Sequence, residues 1–238
     1  MVDLEIVDGL AVITIDRPHA RNAISLETMD QFDKALDGAE GAAALVVTGA
    51  GDRAFVSGGD LKELSTLRTE HDAGAMAWRM RSICDRIAGF DGPTVAALNG
   101  HALGGGAEVA VATDIRLAAD DIKIGFNQVA LEIMPAWGGA ERLVGLVGFS
   151  KALLLAGTGM LVTAQEALSS GLVDHVIARD SFDAEWRRIA MALAQRPAGE
   201  IKRVMQGVST TEAVAAFARL WVADEHWAAA DKVIKRAK

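Results

Sequence analysis

Short β-branched runs alternate with helix-period patterns along most of this chain. Glu5–Val7 and Ala11–Ile15 flank Asp8-Gly9, a dipeptide suited to a tight hairpin turn, and predict two paired strands. Ser25 can cap a helix in which Thr28, Met29, Phe32 and Leu36 recur at helical spacing. Ala44–Thr48 is an unbroken apolar run of strand length, closed by the turn Gly49–Arg53. Met76, Met80 and Ile83 form an apolar helical stripe whose default place is the core. Val95–Leu98 predicts another strand, followed by a glycine cluster and a helix over Gly106–Ala112. Asp114–Ala118, Lys123–Phe126 and Val173–Ile177 are the remaining strand candidates. From Ser181 onward only helix-period patterns remain: Phe182–Leu193, Glu200–Met205 and Thr211–Arg236. The pattern is that of an α/β chain ending in an all-helical tail, with no repeat and no linker.

Composition narrows the class. The 238 residues are 51% hydrophobic and 24% charged, with a mean hydropathy of +0.22. That suits one generous core, and no apolar run approaches the ~18–20 residues that a membrane helix needs. The opening MVDLEIVDGL carries acids where a secretory signal carries Lys or Arg. Cys84 is the single cysteine, so no intrachain disulfide can form. A cytoplasmic location is the expectation. The net charge of −8 argues against nucleic acid and anionic membrane as partners. The one basic cluster is Lys232, Lys235, Arg236 and Lys238. It is open to two readings, a solvated helix end or a phosphate contact.

Candidate chemistry gathers in three glycine-bearing segments: FVSGGDLKEL (Phe55–Leu64), NGHALGGGAEVAVATDIRLA (Asn99–Ala118) and MPAWGGAERLVGLVG (Met134–Gly148). Each sets glycines between a strand and a helical pattern, where backbone can approach a ligand and the first helical N–H groups are free. Common alternatives fail on spacing. There is no GxGxxG dinucleotide fingerprint and no Walker-type loop, and Ser57 lacks the glycine of a hydrolase elbow. The five histidines show no metal spacing. Glu108 is a carboxylate in the first turn of an otherwise apolar helix. It fits proton transfer in a desolvated pocket, and equally a favourable charge at a helix N-terminus.

Taken in order, RPHARNAIS (Arg17–Ser25), the three glycine segments, LAGTG and the stretch Ala164–Asp174 resemble the crotonase superfamily, the enoyl-CoA hydratase/isomerase family. The resemblance covers nearly the whole chain. It implies a crotonase-like spiral of ββα turns over residues 1–185, and a helical oligomerisation region over 186–238 that packs between subunits of a trimer or hexamer. It further implies an acyl-CoA thioester as substrate, with CoA carried by that substrate and no separate cofactor or metal.

The resemblance assigns the N–H groups of Gly59 and Gly105 to an oxyanion hole for the thioester oxygen, and to Glu108 a role in activating water. Counted from Glu108, the family's second glutamate falls on Gln128, which cannot exchange a proton near neutral pH. Glu132, four residues on, is the candidate replacement, although Pro135 disfavours helix just after it. Ala20, Arg21, Val56, Gly58, Asp60, Leu61, Gly104 and Trp137 are the substrate-binding positions that the resemblance implies. Trp137 is open between core and acyl-pocket wall. Asp60 is expected to fix the turn that presents Gly59, and Asp114 and Arg116 to form a pair at a strand edge. Three functions remain: a hydratase or isomerase using Glu108, a decarboxylase of a malonyl-type thioester, and a thioester-binding protein with little turnover.

Overall fold

The computed structural model describes residues 1–236, with side chains through Lys235. Strands β1 (Val2–Val7) and β2 (Leu10–Ile15) form the antiparallel hairpin, with Asp8 and Gly9 at φ 51° and 80° as a two-residue primed turn requires. The Ser25 hydroxyl accepts the Thr28 N–H at 3.1 Å and caps α1 (Leu26–Gly38), which buries Met29, Phe32 and Leu36. Then follow β3 (Ala44–Gly49), β4 (Ala54–Val56), the short α2 (Leu61–Leu64) and α3 (Glu70–Ala88). The next turn is β5 (Thr94–Leu98), β6 (His101–Leu103) and α4 (Gly105–Ala110). After β7 (Ile115–Ala119) and β8 (Lys123–Gly125) come α5 (Gly139–Val147) and α6 (Phe149–Thr158). Finally β9 (Val162–Thr163), α7 (Ala164–Ser170) and β10 (His175–Ile177) lead into α8 (Phe182–Ala194), α9 (Ala198–Met205), α10 (Thr210–Val222) and α11 (Asp224–Arg236).

The strands sort into two sheets. One runs β1-β2-β3-β5-β7-β10, parallel beyond the hairpin, and the other β4-β6-β8-β9. After the hairpin, the pairs β3–β4, β5–β6 and β7–β8 each lay one strand in the first sheet and a short one in the second before the chain returns through helix, which is the expected spiral of ββα turns. β3 and β5 are buried at every residue, as central parallel strands covered on both faces must be. β1, at the edge, sets Asp3 and Glu5 among its outward positions.

Several boundaries depart from the sequence pattern. The three-residue β4 and β6 and the two-residue β9 are too short to show a period. The tail is two helices where one was expected: Ala223 is extended (φ −71°, ψ 147°), and Trp221 stacks on His226 at 4.6 Å across the break. Arg116 does not pair with the Asp114 carboxylate. Its backbone N–H and guanidinium both engage Asp174, while Asp114 accepts from Thr94 and pairs with Lys202 at 2.8 Å. Lys202 also donates to the carbonyls of Phe90 and Gly92, and so docks α9 onto the end of the first sheet.

Candidate active site

The loop before α1 fixes one wall of the site. Asn22, buried and at φ 55°, accepts the Arg17 N–H at 2.9 Å and donates to the Ala54 carbonyl at 2.7 Å, tying this loop to β4. Arg17 pairs with Asp60 at 3.0 Å, and Asp60 caps α2 through a long 3.4 Å bond from the Glu63 N–H. Between these anchors, the Ile24 N–H donates to the Gly58 carbonyl and the Ile24 carbonyl accepts from Asp60, both at 2.8 Å. In such a parallel bridge the middle residue's own N–H faces the other way, so that of Gly59 turns from Ile24. Arg17 and Asn22 lie inside the quoted motif, but nothing in their spacing separated a positioning role from a loop role.

The second wall is α4. Gly104 stands at φ 55°, ψ −119°, a conformation that L side chains rarely adopt, and its N–H is held by the Gly125 carbonyl of β8 at 2.8 Å. As first residue of the helix, Gly105 has an N–H with no partner inside it. Close packing admits no side chain here: a Cβ on Gly106 would fall 1.8 Å from the Val56 carbonyl, and one on Gly105 2.0 Å from the Trp137 ring. With only six residues in α4, the two individual N–H donors matter more than any summed dipole.

Glu108, 2% exposed, completes the site. Its Oε1 accepts from Gln128 Nε2 at 2.8 Å and the Ala136 N–H at 3.3 Å, and its Oε2 accepts from the N–H groups of Trp137 at 2.7 Å and Gly139 at 2.9 Å. Burial lifts its carboxyl above the usual carboxylate range, although the four donors pull the other way. The carboxylate therefore holds the 136–139 turn and, with its acceptor sites filled, takes a proton only where a donor yields. The long Ala136 bond and the swivelling Gln128 amide, both on Oε1, are the contacts able to do so. Gln128 is 7% exposed, and its Oε1 has no donor among the described residues.

These groups face one cleft of about 350 Å3. Gly58, Gly59, Leu61, Gly104, Gly105, Glu108, Gln128 and Trp137 of the expected residues line it, joined by Ser57, Met76, Asn127 and Ala136. Met80 and Ile83 are core, so the apolar stripe of α3 divides its duties. Trp137, 6% exposed, is both packed and a wall. Val56 lies behind the cleft, with its carbonyl against Gly106. Glu132 is not brought to Glu108: a left-handed φ of 57° closes the 3-10 turn Asn127–Leu131, and the side chain is exposed outside the cleft lining. Arg21 lines a second cleft of about 510 Å3 with Arg53, Arg179 and His101, and Ser57 borders both. Ala20 and Asp60 line neither. Among the described residues no three His, Cys, Asp or Glu side chains could hold a metal ion, and no helix is long and apolar enough to cross a membrane. Burial pushes the Cys84 thiol up to about 12, which leaves it unreactive.

A model of the family described as Enoyl-CoA hydratase/isomerase matches residues 5–224. The chain is 36% identical to the crotonyl-CoA hydratase of Syntrophomonas wolfei over 192 residues, covering 79% of this chain and 73% of that protein. It is 33% identical to the short-chain-enoyl-CoA hydratase of Clostridium acetobutylicum, over 87% of this chain and 80% of the relative. The crystal structure of an enoyl-CoA hydratase from Bacillus anthracis superposes with a TM-score of 0.82 at 27% identity, covering 92% of this chain and 89% of that one.

Proposed function

Because the chain belongs to the enoyl-CoA hydratase/isomerase family, and so acts on acyl-CoA, we propose that it adds water to an enoyl-CoA or moves its double bond, with Glu108 as the sole acid/base. The observation that carries this reading is the buried Glu108, its carboxyl lifted by burial above the usual carboxylate range, lining the same cleft as Gly59 and Gly105. In hydration, Glu108 takes a proton from water as the oxygen bonds to C3. The electron pair moves onto the thioester oxygen, which the N–H groups of Gly59 and Gly105 hold. The enolate then collapses as Glu108 returns that proton to C2. In isomerisation the proton leaves C2 and returns at C4. One carboxylate balances either reaction, and two preorganised N–H donors supply stabilisation worth roughly 10²-fold each or more.

The second cleft, beside Ser57, supports a place for the polar end of CoA, with Arg21 and Arg53 offering cations to its phosphates. The apolar residues left exposed on the last two helices support self-association into a trimer or hexamer. Crotonyl-CoA, a 3-enoyl-CoA and methylmalonyl-CoA, each incubated with the protein and followed by mass spectrometry, decide the chemistry. Hydrated or isomerised product from the first two supports this reading. Decarboxylation of the third alone, or no turnover of any, would replace it with one of the other two functions.

A further inference from the structure

We infer that Arg142 is a positioning residue for Glu108: from outside the cleft, its guanidinium holds the turn whose N–H groups grip the carboxylate from within. The inference deepens the reading of Glu108 as the acid/base and rests on it. Arg142 lies near the start of α5. Its Nη1 donates to the Trp137 carbonyl at 3.3 Å, and its Nη2 pairs with Asp85 of α3. α3 buries Met80, Ile83 and Cys84 in the core, which gives the guanidinium a fixed footing at Asp85. Two adjacent glycines show how closely the turn is pressed from both sides. A Cβ on Gly138 would fall 2.2 Å from Arg142 Nη1, and one on Gly139 2.3 Å from Glu108 Cγ. Gly138 also stands at φ 89°, so bare backbone is required there twice over.

The N–H groups of Trp137 and Gly139 reach Glu108 Oε2, and the carbonyl between them in the chain is the one that Arg142 takes. The cation thus anchors the middle peptide of three, and the carboxylate is bound by the peptides on either side. A planar fork can serve a carbonyl and a carboxylate at once, which a single ammonium cannot do in the same geometry. The consequence falls on the proton. Burial raises the Glu108 carboxyl, while the bonds from Gly139, Trp137, Ala136 and Gln128 lower it. Without Arg142 the turn is free to swing, its bonds to Oε2 lengthen, and the carboxyl rises further. Among the described residues, the other charged groups on the helices around Glu108 are Arg81 and Asp85 of α3 and Glu141 of α5. Arg81 is committed to Glu141 at 2.8 Å, burial keeps the Cys84 thiol neutral, and the 3-10 turn brings the uncharged Gln128.

The test follows Glu108 directly, through the infrared band of its protonated carboxyl, assigned by its loss in Glu108→Gln. In parallel it follows the pH dependence of kcat/KM on crotonyl-CoA. In Arg142→Gln both midpoints should move up by about half to one pH unit, the scale of one weakened hydrogen bond to a carboxylate. At neutral pH kcat should fall about tenfold with KM within about twofold, since position and not affinity is lost. Arg142→Lys keeps the cation without the fork. It should shift both midpoints the same way by a smaller amount, and it carries the test if Arg142→Gln does not fold. Glu141→Gln cuts the neighbouring ion pair between the same two helices and should leave both midpoints where they are. Unmoved midpoints in the folded Arg142 variants, or an equal move in Glu141→Gln, would overturn the inference and return Arg142 to simple helix docking. If the wild type neither hydrates nor isomerises a thioester, the acid/base reading fails, and the infrared midpoints alone still decide whether Arg142 positions Glu108.

Discussion

The helix that carries Glu108 and the two helices that end the chain are built on opposite terms. Every residue of α4 is buried, and Gly105 and Gly106 have no room for even a methyl group. Among the described side chains of α10 and α11 only Ala216 is buried, while Trp221, Trp227 and Val233 are 46%, 47% and 68% exposed. Tight packing of the first kind leaves no slack around Gly105 and Gly106, so a side chain added at either must displace its neighbour. Apolar surface of the second kind is left open within one chain and supports the proposed self-association. Substitutions in the two regions should therefore fail in different ways, by lost chemistry in the first and lost assembly in the second.

The sharpest break is expected at Gly105. A methyl there meets the Trp137 ring, so Gly105→Ala must displace either the indole or the donor N–H. Turnover should fall by roughly 10²-fold or more. Gly105→Ala combined with Trp137→Ala should recover part of that loss, since contacting residues couple. A single variant active to within a few-fold of wild type would show that the close packing does not serve the chemistry.

Glu108→Gln should lower turnover by roughly 10²- to 10⁴-fold, the range for a general acid–base group, with acyl-CoA affinity held within a few-fold. The exposed Glu132, changed the same way, should leave the rate within about twofold, as surface substitutions usually do. Loss of activity in Glu132→Gln would mean that it reaches the cleft after all. Acidity separates the two carboxylates further. Glu108 must be ionised to take a proton, and burial lifts its carboxyl. The acid limb of kcat/KM should thus have its midpoint above the usual carboxylate value of about 4.3. The sign for stability follows from the same rise. A raised folded value means that the folded state binds the proton more tightly, a contribution present at low pH and lost as pH rises through that value. Denaturation of wild type against Glu108→Gln over pH 4 to 8 should show wild type losing ground as pH rises, and a flat difference would mean that burial does not dominate at Glu108.

The long elements of the spiral were legible because their signals were physical. Asp8-Gly9 demanded a primed turn, Ser25 a cap, and the unbroken β3 and β5 runs a sheet covered on both faces. β4 and β6 were illegible because three residues carry no period, although they seat Ser57 and Gly104 at the cleft. Most of the glycines, with Glu108, Gln128 and Trp137, came from ordered motifs, and the structure brings them together. Glu132 failed because helical i, i+4 logic was applied to a 3-10 turn that ends in a left-handed residue. The break at Ala223 left no trace, since neither Gly nor Pro marks it. The Arg116–Asp174 pair is joined by a parallel strand pairing 58 residues apart, beyond any local pattern.

At the tail the expected effects are smaller and of another kind. Replacing Trp221 and Trp227 with Ser should shift the protein toward smaller species in light scattering, while the folding midpoint of the core changes little. A stable, active monomer in the wild type would overturn the assembly itself.

The smallest effect concerns the basic end of the last helix. Lys232 and Lys235 are exposed on α11, whereas the side chain of Arg236, and Lys238 entirely, lie outside the described residues. If the helix lies beside the CoA site of a neighbouring subunit, as the family resemblance implies, these lysines add a screened attraction between an acidic protein and an anionic substrate. An exposed pair of this kind is worth at most about 1 kcal/mol and weakens once salt shortens the Debye length below ~10 Å. Lys232→Ala with Lys235→Ala should therefore raise KM for CoA substrates about two- to fivefold at low ionic strength and hardly at all near 0.5 M salt, with kcat unchanged. Equal KM in wild type and variant at every salt concentration would return both lysines to a simple role, cations that oppose the dipole of a solvated helix end.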